Sequence, residues 1–194
     1  MNSQVITLHR ADLFLDNVGT IDQRQLMINE IKHKQLLYPD GIDKSNPSCW
    51  RFNNPCDNID WLMFHIINLL EKATAHYDQE DRVFKQRKKL DIAKVDYWAN
   101  INQTRSRNTL HSHKSAQFSV CYYLQAEDTG SIRFINPANI MAECNPSAPF
   151  TADTAINPRD GDLLLWPSWM PHEVDTNFSL KERINLAFDI TIKY

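Results

Sequence analysis

Three histidines and one arginine in the last third of the chain have the chemistry to build a site. Leu110-His111-Ser112-His113 is followed by Trp166-Pro167-Ser168-Trp169-Met170-Pro171-His172 and then by Arg183-Ile184-Asn185. Side chains two apart on an extended segment project to one face, so His111 and His113 can point into the same cavity. His172 follows Gly161-Asp162-Leu163-Leu164-Leu165-Trp166-Pro167, an apolar run that enters a proline-bounded turn. Opening the next strand at that end, it would face a barrel interior. Arg183 begins the apolar run Ile184 to Ile190, where an inward charge is costly without an anionic partner. Its forked guanidinium suits a carboxylate. The competing reading places Arg183 outward, paired with Glu182, and leaves His111 and His113 on an exposed loop.

Imidazoles around a metal with open positions, beside a carboxylate-binding arginine, form the arrangement of a non-haem Fe(II) oxygenase that uses a 2-oxo acid. Iron would chelate the 2-oxo and C1 carboxylate oxygens of 2-oxoglutarate, Arg183 would fix the far carboxylate, and the remaining position would take O2. Decarboxylation would then supply the oxidant that abstracts hydrogen from a positioned C–H bond and hydroxylates it.

The elements that must position these residues divide the chain in two. Residues 1–90 read as mostly helical support and 91–194 as a β-barrel core carrying the site, together one domain over 1–194. Ile21 to Leu36 places apolar residues at Leu26-Met27, Ile31 and Leu36, near helical spacing, and Tyr38-Pro39-Asp40-Gly41 ends the run. Ser45 to Pro55 is rich in turn residues but holds Trp50 and Phe52, and reads as an ordered loop pressed against the core. From a cap at Asp57 or Asn58, Ile59, Leu62, Met63, Ile66, Ile67 and Leu70 recur at helical steps to about Tyr77. His65 and His76 on this helix read as surface or packing residues.

The period then changes to two. Ile92–Ile101, Gln117–Gln125, Ser131–Ile135, Asp162–Trp166, His172–Thr176 and Arg183–Ile192 read as strands of a sandwich or squat barrel. Asp128-Thr129-Gly130 reads as a hairpin turn between two of them, and Arg159-Asp160-Gly161-Asp162 as another turn. Asn136 to Pro158 is long enough to form a rim or lid over a barrel mouth.

Composition narrows the class. With 194 residues, 42% of them hydrophobic, the chain can bury a substantial core. No stretch is apolar for the length of a membrane span and the N-terminus lacks the pattern of a signal peptide, so no membrane partner is expected. Cys49, Cys56, Cys121 and Cys144 show no C-x-x-C spacing and read as reduced thiols of a cytoplasmic protein. A net charge of −3 argues against a nucleic-acid partner, and Lys85-Gln86-Arg87-Lys88-Lys89 reads as a solvated loop. Exposed apolar positions on the N-terminal helices would allow a homodimer.

Beyond the histidines, the chain carries Lys44-Ser45-Asn46 with Trp50, Trp98-Ala99-Asn100, Ser119-Val120-Cys121-Tyr122-Tyr123-Leu124, Gly130 to Pro137, Gly161-Asp162-Leu163 and Glu182-Arg183-Ile184-Asn185 to Phe188. With His111-Ser112-His113 and Trp166-Pro167-Ser168-Trp169…His172, these make the sequence resemble the 2-oxoglutarate/Fe(II) oxygenase superfamily. The nearest resemblance is to a family of such oxygenases from marine bacteria and their phages, which would place a phage-encoded member in the host cytoplasm. The resemblance implies a mainly β fold with N-terminal helices, a double-stranded β-helix (jelly-roll, cupin-like) barrel with the metal at its mouth. It implies His111 and His172 as metal ligands and Arg183 as the partner of the C5 carboxylate of 2-oxoglutarate. Tyr123 falls where prolyl-hydroxylase-like relatives place a tyrosine on that carboxylate, and Asn185 where an R-x-S pattern has serine; its amide could donate there too.

The superfamily's common H-x-D/E…H triad has a carboxylate where this chain has His113. Three readings follow: iron held by three histidines, which we favour, iron held by two with His113 behind them, or an altered site without oxygenase activity. Three imidazole ligands would make iron loading fall steeply below about pH 6 to 6.5. Lys114 stands where the family often has proline, at the cavity entrance or facing solvent. The activity expected is hydroxylation of a C–H bond with release of succinate and CO2, possible on a prolyl or other peptidyl side chain or on a small molecule. Trp166, Trp169 and Phe150 are candidates for an aromatic mouth. The competing functions are a cupin-like three-histidine dioxygenase without 2-oxoglutarate and a non-enzymatic barrel used as a binding module.

Overall fold

The computed structural model describes residues 11–41, 49–81, 90–136 and 153–193. Cys144, Phe150, the basic run 85–89 and most of the proposed 136–158 rim lie outside them. The elements run β1 (Phe14–Asn17), α1 (Ile21–Leu37), β2 (Trp50–Asn53), α2 (Asp60–Asp81), β3 (Ile92–Asn102), β4 (Asn108–His111), β5 (Phe118–Gln125), β6 (Ile132–Phe134), β7 (Thr154–Ile156), β8 (Asp162–Pro167), β9 (His172–Val174) and β10 (Arg183–Ile192).

Two antiparallel sheets form, one in the order β1-β8-β5-β10-β3-β2 and the other β4-β9-β6-β7. From β3 onward the chain passes repeatedly between them, giving the wound, two-sheet topology of a double-stranded β-helix. The two sheets are hydrogen-bonded separately, as in the expected jelly-roll arrangement.

Period-two alternation gives the six-stranded sheet two chemically different faces. On β10, Ile184, Leu186, Phe188 and Ile190 are fully or almost fully buried with Ala99 and Ile101 of β3, Val120, Tyr122 and Leu124 of β5, and Leu163 and Leu165 of β8. The helices cover this face. Leu62, Ile66, Leu69, Leu70, Ala73 and Tyr77 form the α2 stripe, at the three- and four-residue steps of a helix. From α1 only Met27 and Ile31 are buried; Leu26 and Leu36, expected on that stripe, are 64% and 81% exposed. Thr20 caps α1 in a capping box with Gln23, while α2 begins at Asp60, later than the Asp57 or Asn58 cap expected.

Residues one step out of phase with the core face the other sheet. Register places Arg51 opposite Asn100, Asn100 opposite Asn185 and Asn185 opposite Tyr123, a polar row across four strands. Cys121, Tyr123, Leu164 and Trp166 close on Ile132 and Phe134 of the smaller sheet.

Two further expectations change. The Trp50–Asn53 segment is a strand, not a loop: it pairs with β3 and lays Trp50 and Phe52 against the core. The turn at Asp128-Thr129-Gly130 is real, with Asp128 and Gly130 at positive φ, but it joins β5 of one sheet to β6 of the other and so is not a hairpin. Gly130 packs against the Asp175 and Thr176 carbonyls, where a Cβ would stand 3.0 Å from an oxygen. Cys49, Cys56 and Cys121 are buried and unbridged.

Candidate metal centre

His111 and His172 are direct cross-strand partners of β4 and β9, which sets their side chains on one face with ring centroids 4.3 Å apart. His113 lies past the end of β4. Its backbone N–H donates to the Ser168 carbonyl at 2.9 Å, which holds the chain against the β8–β9 turn and turns the third ring towards the other two. Its centroid is 5.1 Å from His111 and 5.3 Å from His172. One ring nitrogen of each histidine lies within 4.8 Å of the other two, and this is the group of metal-binding type found among the described residues.

The other nitrogens are anchored. Nδ1 of His111 contacts the Thr109 carbonyl at 2.7 Å and Nδ1 of His172 the Met170 carbonyl at 3.0 Å. A carbonyl only accepts, so Nδ1 carries the proton and Nε2 of each ring is left with its lone pair. Nδ1 of His113 faces Oδ2 of Asp189 at 2.9 Å. Taken as whole residues, exposure falls from His111, whose ring is nonetheless partly covered, through the half-buried His113 to the buried His172. Burial lowers the pKa of His111, and burial first, then the neighbouring His111, lowers that of His172 to about 3. Both rings are neutral donors at ordinary pH.

The rings border a cavity of about 330 Å³ that also touches Arg51, Trp98, Cys121, Tyr123, Trp166, Arg183 and Asn185. Arg183 is 1% exposed and points inward, and Glu182 pairs with Lys32 instead. One guanidinium nitrogen, Nη1, donates to the Thr129 carbonyl at 3.1 Å, so the turn after β5 fixes its reach. Nη2 and the Trp166 indole N–H are buried with no hydrogen-bond partner among the described residues. Burial pulls the Arg183 pKa down, with Tyr123 beside it acting in the other direction. Tyr123 is buried, and burial raises its hydroxyl well above the usual range; burial likewise pushes the Cys121 thiol up to about 12. No Asp or Glu lines the cavity among the described residues.

All six residues singled out in the sequence, His111, His113, His172, Arg183, Tyr123 and Asn185, thus border one cavity. Trp166 is its buried wall, T-shaped against His172 at 5.0 Å, whereas Trp169 is 51% exposed and Lys114 is exposed, both off its lining. His76 lies elsewhere, against Asp12. Sequence reasoning gave no site role to Arg51, Trp98 or Asp189. Arg51 lies over the Trp98 ring at 4.2 Å and reaches the cavity from β2. Asp189 shares the phase of Arg183 and Asn185 on β10, a signal that was present in the alternation.

Residues 96–189 match the model of a family described as "Putative 2OG-Fe(II) oxygenase", and the matched segment contains every cavity residue named above except Arg51. The fold is that of a prolyl-4-hydroxylase from Pseudomonas putida, at 12% identity over 92% of each chain with a TM-score of 0.62. It is also that of a Trichoplax adhaerens prolyl hydroxylase solved with a hypoxia-inducible-factor peptide, at 14% identity over 92% of this chain and 83% of that one, TM-score 0.64. HygX from Streptomyces hygroscopicus, solved with nickel and 2-oxoglutarate, aligns at 15% identity over 94% and 83%, TM-score 0.59. No curated protein sequence matches the chain. The three histidines and the inward arginine all lie in the segment, residues 96–189, that is similar to the 2OG-Fe(II) oxygenase family.

Proposed function

We propose that the protein is an Fe(II)- and 2-oxoglutarate-dependent dioxygenase that hydroxylates a C–H bond of a small molecule or a peptide side chain, releasing succinate and CO2. His111, His113 and His172 would hold the iron through the nitrogens left bare by their Nδ1 anchors. Arg183 would pair with the far carboxylate of 2-oxoglutarate, with Tyr123 and Asn185 beside it. When bound, the iron, the 2-oxo acid and O2 together supply the oxidant for the C–H bond. The residues around them do the rest: Trp166 and Phe134 wall off His172 from water, and Arg183 fixes one end of the cosubstrate.

The observation that carries the reading is the Arg183 guanidinium. A buried cation with an unmet donor is costly, and the unmet Trp166 N–H on the same cavity adds a second acceptor-seeking group. A carboxylate satisfies such groups, and the absence of acids from the described lining leaves room for a dianion. Only part of a cavity of about 330 Å³ then remains for the substrate. Access is therefore for a small molecule or for one side chain of a larger one, such as the peptide carried by the Trichoplax neighbour.

The three-imidazole donor set favours a second reading, a cupin-like dioxygenase that needs no 2-oxo acid. Such an enzyme has no use for the inward Arg183. Calorimetry on the metal-free chain tests the first reading: about one equivalent of Fe(II) should bind without oxygen, followed by 2-oxoglutarate only once metal is present. His111→Ala and His172→Ala should each weaken metal binding by at least roughly a hundredfold. Metal binding unchanged in both variants would remove the site; metal without 2-oxoglutarate binding would favour the second reading.

A further inference from the structure

We propose that Asp189 is a positioning residue that supplies, from behind His113, the negative charge that a carboxylate ligand would otherwise bring to the metal. The inference rests on the reading of the three histidines as ligands. The superfamily's common triad carries its charge directly on the metal, whereas position 113 here presents an imidazole. The carboxylate that accompanies the ring stands behind it, across a hydrogen bond to Nδ1.

Asp189 is built into the sheet for this contact. Its Oδ2 faces Nδ1 of His113 at 2.9 Å, and its Oδ1 accepts from the Ser119 hydroxyl at 2.9 Å, with Ser168 Oγ a further 3.2 Å from Ser119. The Asp189 and His113 side chains are only 14% and 16% exposed, so solvent screens the pair weakly. Ser168 also accepts from the His113 backbone, and Trp98 lies nearly parallel to the ring at 5.8 Å. The ring is thus held by its backbone, one face and its Nδ1, which leaves Nε2 for the cavity.

The three imidazoles are consequently unequal. His111 and His172 lean on neutral carbonyls, and His113 alone has an anion behind it. An ionised carboxylate can only accept, so it fixes the Nδ1–H tautomer, polarises that N–H and makes Nε2 a stronger donor. Asp189 does not border the cavity, so it touches neither substrate nor cosubstrate and acts through His113.

Asp189→Asn separates charge from shape, because the amide oxygen can still accept from Nδ1–H. Co(II) is the probe, read by its affinity and its visible ligand-field spectrum in the full chain, with apo melting as the check on folding. Asp189→Asn should bind Co(II) about 10- to 100-fold more weakly than the parent, with a shifted spectrum. His113→Asp alone sets one carboxylate against another and should also bind poorly. Combining His113→Asp with Asp189→Asn moves the charge to the ligand position and should recover affinity to within about tenfold of the parent. Parent-like affinity and spectrum in Asp189→Asn would overturn the proposal, as would a double variant no tighter than His113→Asp, the comparison that decides if Asp189→Asn does not fold. A parent that binds no Co(II) would instead sink the metal reading beneath it.

Discussion

His172 lies deep enough that burial holds its imidazole down to about 3, and His111 is lowered by the same cause. Metal loading should therefore persist to lower pH than the fall near pH 6 to 6.5 expected from sequence, because these two rings give up their protons more readily than free imidazole. The same shift bears on the metal-free fold. Between the ordinary imidazole value of 6.5 and about 3, the unfolded chain binds a proton at His172 that the folded chain refuses. Stability is thus complete above about pH 6.5 and falls by a few kcal/mol as pH drops through that window. Urea unfolding of the metal-free parent and of His172→Gln should show the parent losing more stability on acidification; equal losses would contradict the burial argument. Residue type was enough to find the histidines and Arg183 in the sequence. It did not find Asp189, because an acid in an alternating strand reads as outward until one notes that Arg183, Asn185 and Asp189 share a phase.

The elements that the sequence hid are all sheet edges. β1 and β2 flank the larger sheet and β4 and β7 the smaller one. Edge strands pair on one side only and need no full apolar face, so Phe14–Asn17, Asn108–His111 and Thr154–Ile156 are short with mostly exposed or half-buried residues. The inner strands β5, β8 and β10 are apolar or alternating over six to ten residues and were legible for that reason. The helices serve the face opposite the site. Leu70→Ala on α2, fully buried against the sheet, should cost about 2–5 kcal/mol in denaturant unfolding. It should leave 2-oxoglutarate affinity within about twofold, since the cavity lies across the sheet; a large loss of affinity at unchanged stability would contradict that division of faces.

At the scale of the whole molecule, the division into helical support and β core is less clean than residues 1–90 and 91–194 suggested. The N-terminal half supplies both edge strands of the larger sheet, and through Arg51 of β2 it reaches the cavity with a second cation. No pattern local to Arg51 announces this, because its position follows from pairing with Asn100 across a long stretch of sequence. Among the described residues no helix is long and apolar enough to cross a membrane. The cavity gathers imidazoles and arginines between two sheets that differ in size, and its use by metal and 2-oxo acid together is the central claim. The most direct measurement is an anaerobic titration of metal-free protein with Fe(II) and then 2-oxoglutarate, following the visible charge-transfer band of the chelate in the parent and in Arg183→Ala. The expected result is a band that saturates near one equivalent of iron in the parent and needs at least roughly tenfold more 2-oxoglutarate in the variant, as befits loss of a charged hydrogen bond. Iron binding with no band, or a band indifferent to Arg183, would contradict the account.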